Sequence, residues 1–133
     1  MNIQALANAV RWFTAAMADV RAAQTLSAVP QPHASLVCFH CQQAAELMLK
    51  GVLAFHEQPV PSTHHIALLL RQVKAHSALL QGLPSELGLL TVYAADNLDP
   101  DGEEPSEEEM RRALDLMLSL RHALSEAKYP LPD

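Results

Sequence analysis

Three groups of residues have the types and spacing for chemistry. Arg71-Gln72-Val73-Lys74-Ala75-His76 sets a guanidinium ahead of an imidazole with four residues between them. The first could steady charge growing on a phosphate oxygen and the second could give or take a proton, the equipment of metal-independent RNA cleavage. On one continuous helix, however, residues five apart point about 140° from each other. The pair would converge only where the helix broke or across a seam between two copies. A short spacing without its structural context also arises readily by chance, and chance is the preferred account here.

The second group is His40, Gln43 and Lys50 with His64. Lining a polar pocket, these side chains could receive a phosphate or the edge of a nucleobase. A structural role competes with that reading. His40 and Gln43 would satisfy backbone groups at a helix start or hydrogen-bond across a dimer, and Lys50 would pair with Glu46. The structural role is favoured, because no Gly-rich phosphate loop or clustered carboxylate pair supports a stand-alone nucleotide enzyme.

Cys38-x-x-Cys41 suggests metal or redox chemistry, with His33, His40, His64 and His65 as further ligands. Structural zinc usually needs two such pairs in tetrahedral geometry, and a thioredoxin-like site needs a preceding strand. Both cysteines fall on the apolar arc of a helix, where cysteine behaves as a small hydrophobe. Core positions are expected for both, with no metal and no cofactor.

These residues require helices to position them. Ile3, Leu6, Val10, Phe13, Met17 and Val20 recur at three- and four-residue intervals and predict a first helix over 3–27. A second is predicted over 33–55. On it Val37, Cys41, Ala44, Ala45, Met48, Val52 and Phe55 share one broad face, while Gln42, Gln43, Glu46 and Lys50 occupy the opposite sector. His40 sits at the seam. A helix so apolar over its circumference must be covered on more than one side, by bundle neighbours and by a second copy of the chain.

Gln58-Pro59-Val60-Pro61 forces an extended turn. A third helix should begin near a Thr63 cap, carry Ile66, Leu69, Leu70 and Val73 inward, and stop at Gly82-Leu83-Pro84. Ser85 should cap a shorter helix. Ser106-Glu107-Glu108-Glu109 reads as a capping box whose acids complement the helix dipole. Met110, Ala113, Leu114, Met117, Leu120 or Arg121, and Leu124 give the last helix its inward stripe, up to Tyr129-Pro130-Leu131-Pro132. The expected fold is all-α: an antiparallel up-and-down bundle of four main helices plus a shorter one, in a single domain over 1–133.

The run His40-Cys41-Gln42-Gln43-Ala44-Ala45-Glu46-Leu47-Met48-Leu49-Lys50-Gly51 resembles the H-x-Q-Q-A-A-E-x-x-L-K-A signature of the HEPN family, with Gly51 where that family has alanine. Trp12-Phe13 and Ala18-Asp19-Val20 on the first helix, and Thr63-His64-His65-Ile66 with Leu69 on the third, extend the likeness. The resemblance implies one of two roles. One is RNA cleavage in toxin and defence systems. The other is non-catalytic partnership with a separately encoded minimal nucleotidyltransferase. Catalytic members carry Arg followed four to six residues later by His, near a helix terminus. Non-catalytic relatives show Arg-Tyr-Pro after the fourth helix, where this chain has Leu98-Asp99-Pro100 and keeps only the proline. The expectation is therefore a non-catalytic homodimeric interaction module beside a nucleotidyltransferase, with a nucleotide or RNA as possible ligand. The alternative is a ribonuclease using Arg71 and His76.

Composition sets the outer limits. The chain has 133 residues, half of them hydrophobic and 5% aromatic, which suits one helical core. No basic leader followed by an apolar block precedes Arg11, and no uncharged apolar run reaches membrane-spanning length, so a soluble cytoplasmic protein is expected. The net charge of −6 is unevenly spread. Eight of the fifteen acids lie between Asp96 and Glu109 with no Lys or Arg among them, leaving nine bases against seven acids elsewhere. Such a near-neutral remainder disfavours duplex binding by electrostatics alone and leaves room for a local site for a nucleotide or a few RNA residues. The acidic run reads as a solvated loop and helix start, with a basic partner as the lesser reading.

Overall fold

Asn2 opens the first helix by accepting from the backbone N–H of Gln4 at 2.7 Å, and α1 then runs Ile3–Ser27. The computed structural model describes residues 1–97 and 99–133. The predicted inward stripe of α1 holds from Phe13 onward but not before it. Ile3 is 84% exposed and Leu6 sits at the surface, while Ala5, Ala9, Ala16 and Ala23 face inward with Phe13, Met17 and Val20. Those alanines let α1 approach its neighbour closely, because a methyl group holds two backbones less far apart than a branched side chain.

That neighbour is α2, Ala34–Phe55, joined through residues 28–33 and packed along the length of α1. His33 precedes α2 without a side-chain cap, and the cap comes from far along the chain. Glu104 accepts from the Ser35 backbone N–H and from its hydroxyl, both at 3.0 Å. A carboxylate there answers orphan N–H donors and the positive end of the helix dipole. One acid of the acidic run is thus spent on fastening its loop to α2.

Helix α3 spans Ile66–His76, shorter than predicted at both ends. Thr63 does not cap it: its hydroxyl accepts from His65 N–H, and His65 caps α3 by accepting from Leu68 N–H. Ser77 then adopts extended backbone, so the helix stops before Gly82-Leu83-Pro84. The expected shorter helix is a nine-residue 3-10 helix, Ser85–Tyr93, in which Ser85 makes no capping bond. At three residues per turn, Leu87 and Leu90 line its buried face, while Leu89 and Val92 line an outer one. Thr91 anchors it by accepting from Ile66 N–H at 3.0 Å.

The capping box closes as predicted: Glu109 N–H donates to Ser106 Oγ at 3.0 Å and Ser106 N–H to Glu109 Oε1 at 2.9 Å. Helix α4, Glu107–Glu126, packs against α2 and buries Met110, Ala113, Leu116, Met117, Leu120 and Leu124. The bundle is all-helical, with α2 at its centre. Among the described residues no helix is long and apolar enough to cross a membrane.

Candidate functional site

The central position of α2 changes the meaning of its polar sector. Gln42, Glu46 and Lys50 lie on successive turns, and all three are buried. Glu46 is their hub. Its Oε1 accepts from Gln42 Nε2 at 2.9 Å and from His64 Nδ1 at 2.8 Å, and its Oε2 accepts from Lys50 Nζ at 2.8 Å. Facing a carboxylate, the His64 nitrogen must be the donor. Burial pushes the Glu46 carboxyl up, but the donors Lys50, His64 and Gln42, together with the Lys50 charge, outweigh it and hold the group below its ordinary value. The Lys50 ammonium also stands 5.8 Å from the centre of the Trp12 ring, a cation–π contact from α1.

One further link extends this knot. His64 Nε2 lies 3.7 Å from Asp96 Oδ2, and the His64 side chain is about half exposed. His40, from the seam of α2, pairs instead with Asp19 of α1 at 2.8 Å. So Lys50 and His64 are gathered on one carboxylate, while His40 belongs to a separate contact between α1 and α2. Gln43 is half-buried and makes no side-chain hydrogen bond among the described residues. Gln42 Oε1 is buried without a partner among them.

Arg71 and His76 lie on the unbroken α3, and both are exposed. Their side chains therefore diverge within one copy. Cys38 and Cys41 are fully buried free thiols, which burial pushes up to about 11 and about 12 respectively. Thiols so disfavoured as thiolates are poor nucleophiles and poor metal ligands. Among the described residues no three His, Cys, Asp or Glu side chains gather closely enough to hold a metal ion. The Leu98-Asp99-Pro100 comparison turns on Leu98, which lies outside the described residues.

The family model of the HEPN domain matches residues 9–127. This chain belongs to the HEPN family. No curated protein and no solved structure matches it. The HEPN match takes in the whole knot, from Trp12 through Glu46 to Asp96, together with the separate His40–Asp19 contact and with Arg71 and His76. In this HEPN chain the signature helix turns its Gln, Glu and Lys into the fold.

Sequence reasoning missed the hub itself. The sequence pairs Glu46 with Lys50, yet Gln42 and Lys50 flank it at i−4 and i+4, which is the available signal for three-way pairing. It also missed Asp19 and Asp96, whose approach to His40 and His64 depends on packing between elements distant in sequence.

Proposed function

We propose that this HEPN domain is a non-catalytic binding module that works as a homodimer beside a separately encoded protein. A minimal nucleotidyltransferase in a toxin–antitoxin or defence system is the partner the family likeness favours. The observation that carries the reading is that α3 stays helical from Arg71 to its last residue, His76, which turns the two side chains about 140° apart. Within one copy the two side chains diverge, and a single phosphate would meet both only across a seam between two copies. The Glu46 knot supports the same reading, because Lys50 and His64 each already serve a carboxylate oxygen. Those donors are committed to holding α2 and the start of α3 together.

Under this proposal His40, Lys50 and His64 act first as a framework, and any nucleotide or RNA contact falls on the exposed edge of His64. The test is incubation of purified protein with RNA in chelator, wild type beside His76→Ala, with light scattering on the same sample. Intact RNA from a dimer is the expected result. Cleavage by the wild type that vanishes in His76→Ala would establish the ribonuclease and end the proposal. Co-expression with the product of an adjacent nucleotidyltransferase gene should yield a complex that survives gel filtration.

A further inference from the structure

An apolar cleft of about 350 Å³ lies between the Ser85–Tyr93 helix and α4. Leu89, Leu90, Val92, Ala113 and Leu116 form its walls. Leu89 is 58% and Val92 61% exposed, one 3-10 turn apart on the same outer face. Single apolar side chains at a surface are ordinary, but two aligned over an apolar cleft form a patch that a partner could cover. A second cleft of about 420 Å³ shares Val92 and Tyr93 with the first, so the two adjoin at those side chains, a groove in two lobes.

The rim of this groove is acidic. Glu108 and Glu109 border the first cleft, and Asp99, Glu103 and Glu104 border the second. Among the described residues Arg112 is the single cation lining either. All five acids are exposed; Glu104 and Glu109 are occupied as helix caps, and Asp99 accepts from the Asp101 backbone N–H. Glu103 and Glu108 engage in no hydrogen bond or ion pair among the described residues.

From this charge pattern we infer that the groove docks a short basic amphipathic segment of another protein, two apolar side chains seated over Leu89 and Val92 and flanking Lys or Arg facing Glu103 and Glu108. Charge selects among the occupants. Nucleic acid and anionic lipid are repelled by the rim. A second copy joined symmetrically through this face would set each acidic rim against itself, a like-charge arrangement that disfavours association. A basic helix or strand lying in the groove satisfies both features together, the apolar floor giving affinity and the rim giving orientation. The inference deepens the reading of the protein as an interaction module and rests on it.

The probe is a fluorescein-labelled helical peptide of leucine and lysine, its leucines at i, i+3 and i+7, titrated against the full chain by anisotropy. Controls are the peptide with glutamate for lysine and a shuffled peptide of the same composition. The lysine peptide should bind and should weaken as salt is raised, the glutamate peptide should not bind, and the shuffled peptide should bind much less. Leu89→Ser with Val92→Ser, and separately Glu103→Gln with Glu108→Gln, should each weaken binding about tenfold. All four side chains are exposed, and unchanged circular dichroism would show the fold intact. Binding indifferent to both double variants, no binding at all, or a dimer that Leu89→Ser with Val92→Ser turns into a monomer would overturn the groove. RNA cleavage with the groove's binding intact would instead remove the non-catalytic reading and leave the groove standing.

Discussion

The ring of Phe13 fills the space beside Gly51: a methyl group built on that glycine would stand 2.5 Å from Phe13 Cε1 and 2.7 Å from Cδ1. Phe13 is fully buried and Gly51 is buried where α1 meets α2, and Phe13 also meets Tyr129 edge-on at 6.3 Å. The ring therefore has no open side to move toward.

Gly51→Ala sets two effects against each other. Helix propensity would favour alanine by about 1 kcal/mol. Forcing a methyl into a filled core opposes it by about 1–3 kcal/mol, and the contact distances place this site at the upper end. The expected net result is a loss of roughly 1–2 kcal/mol, read as a lower urea midpoint with unchanged slope. Phe13→Leu in the same chain should recover part of it, so the double variant should be more stable than the summed single effects. A raised midpoint for Gly51→Ala alone would show that the ring is free to shift.

Glu46→Gln keeps the shape of the hub and removes its charge. The Lys50 ammonium, 8% exposed, would then lack its counter-ion, an uncompensated buried charge that costs about 3–5 kcal/mol. Adding Lys50→Met should restore most of the loss, because the amide oxygen of glutamine can still accept from Gln42 and His64. The wild-type acid limb follows from the depressed Glu46 pKa. Its contribution is complete above the unfolded value of about 4.3 and fades as pH falls through the lower folded value. Melting temperatures should thus fall more steeply below about pH 5 in the wild type than in Glu46→Gln. Parallel curves would show that Glu46 is not the group responsible.

Local signals were legible in the sequence, and distant ones were not. The Ser106 capping box and both ends of α1 could be read directly, since each depends on neighbouring residues. So could the apolar face of α2, from Val37 to Val52, because a 3.6-residue period determines which side chains share a face. The cap on α2 could not, because Glu104 reaches Ser35 across 69 positions of chain. The burial of Gln42, Glu46 and Lys50 was also hidden. A polar stripe on a helix normally signals solvent, and only the placement of α2 at the centre of the bundle reverses that. The same limit applied to α1, where alanines displaced Ile3 and Leu6 from the inward face.

Tyr129 carries the last prediction. Its hydroxyl donates to Ser77 Oγ at 2.9 Å and lies 2.7 Å from His56 Nε2, joining the chain beyond α4 to the ends of α2 and α3. Tyr129→Phe keeps the edge-on contact with Phe55 at 5.0 Å but deprives the buried Ser77 and the half-buried His56 of their partner. A loss of about 1–2 kcal/mol is expected, and Tyr129→Phe combined with Ser77→Ala should regain part of it. Burial, and secondly the charge of His76, hold the His56 imidazole below its ordinary value. A histidine so depressed takes its proton more readily in the unfolded chain, so its stabilising contribution is complete above about pH 6.5 and erodes as pH falls below it. The wild-type melting temperature should decline between about pH 7 and 5, and His56→Gln should flatten that decline. An equal slope in His56→Gln would assign the titration to another group and leave the Tyr129 contact a neutral hydrogen bond.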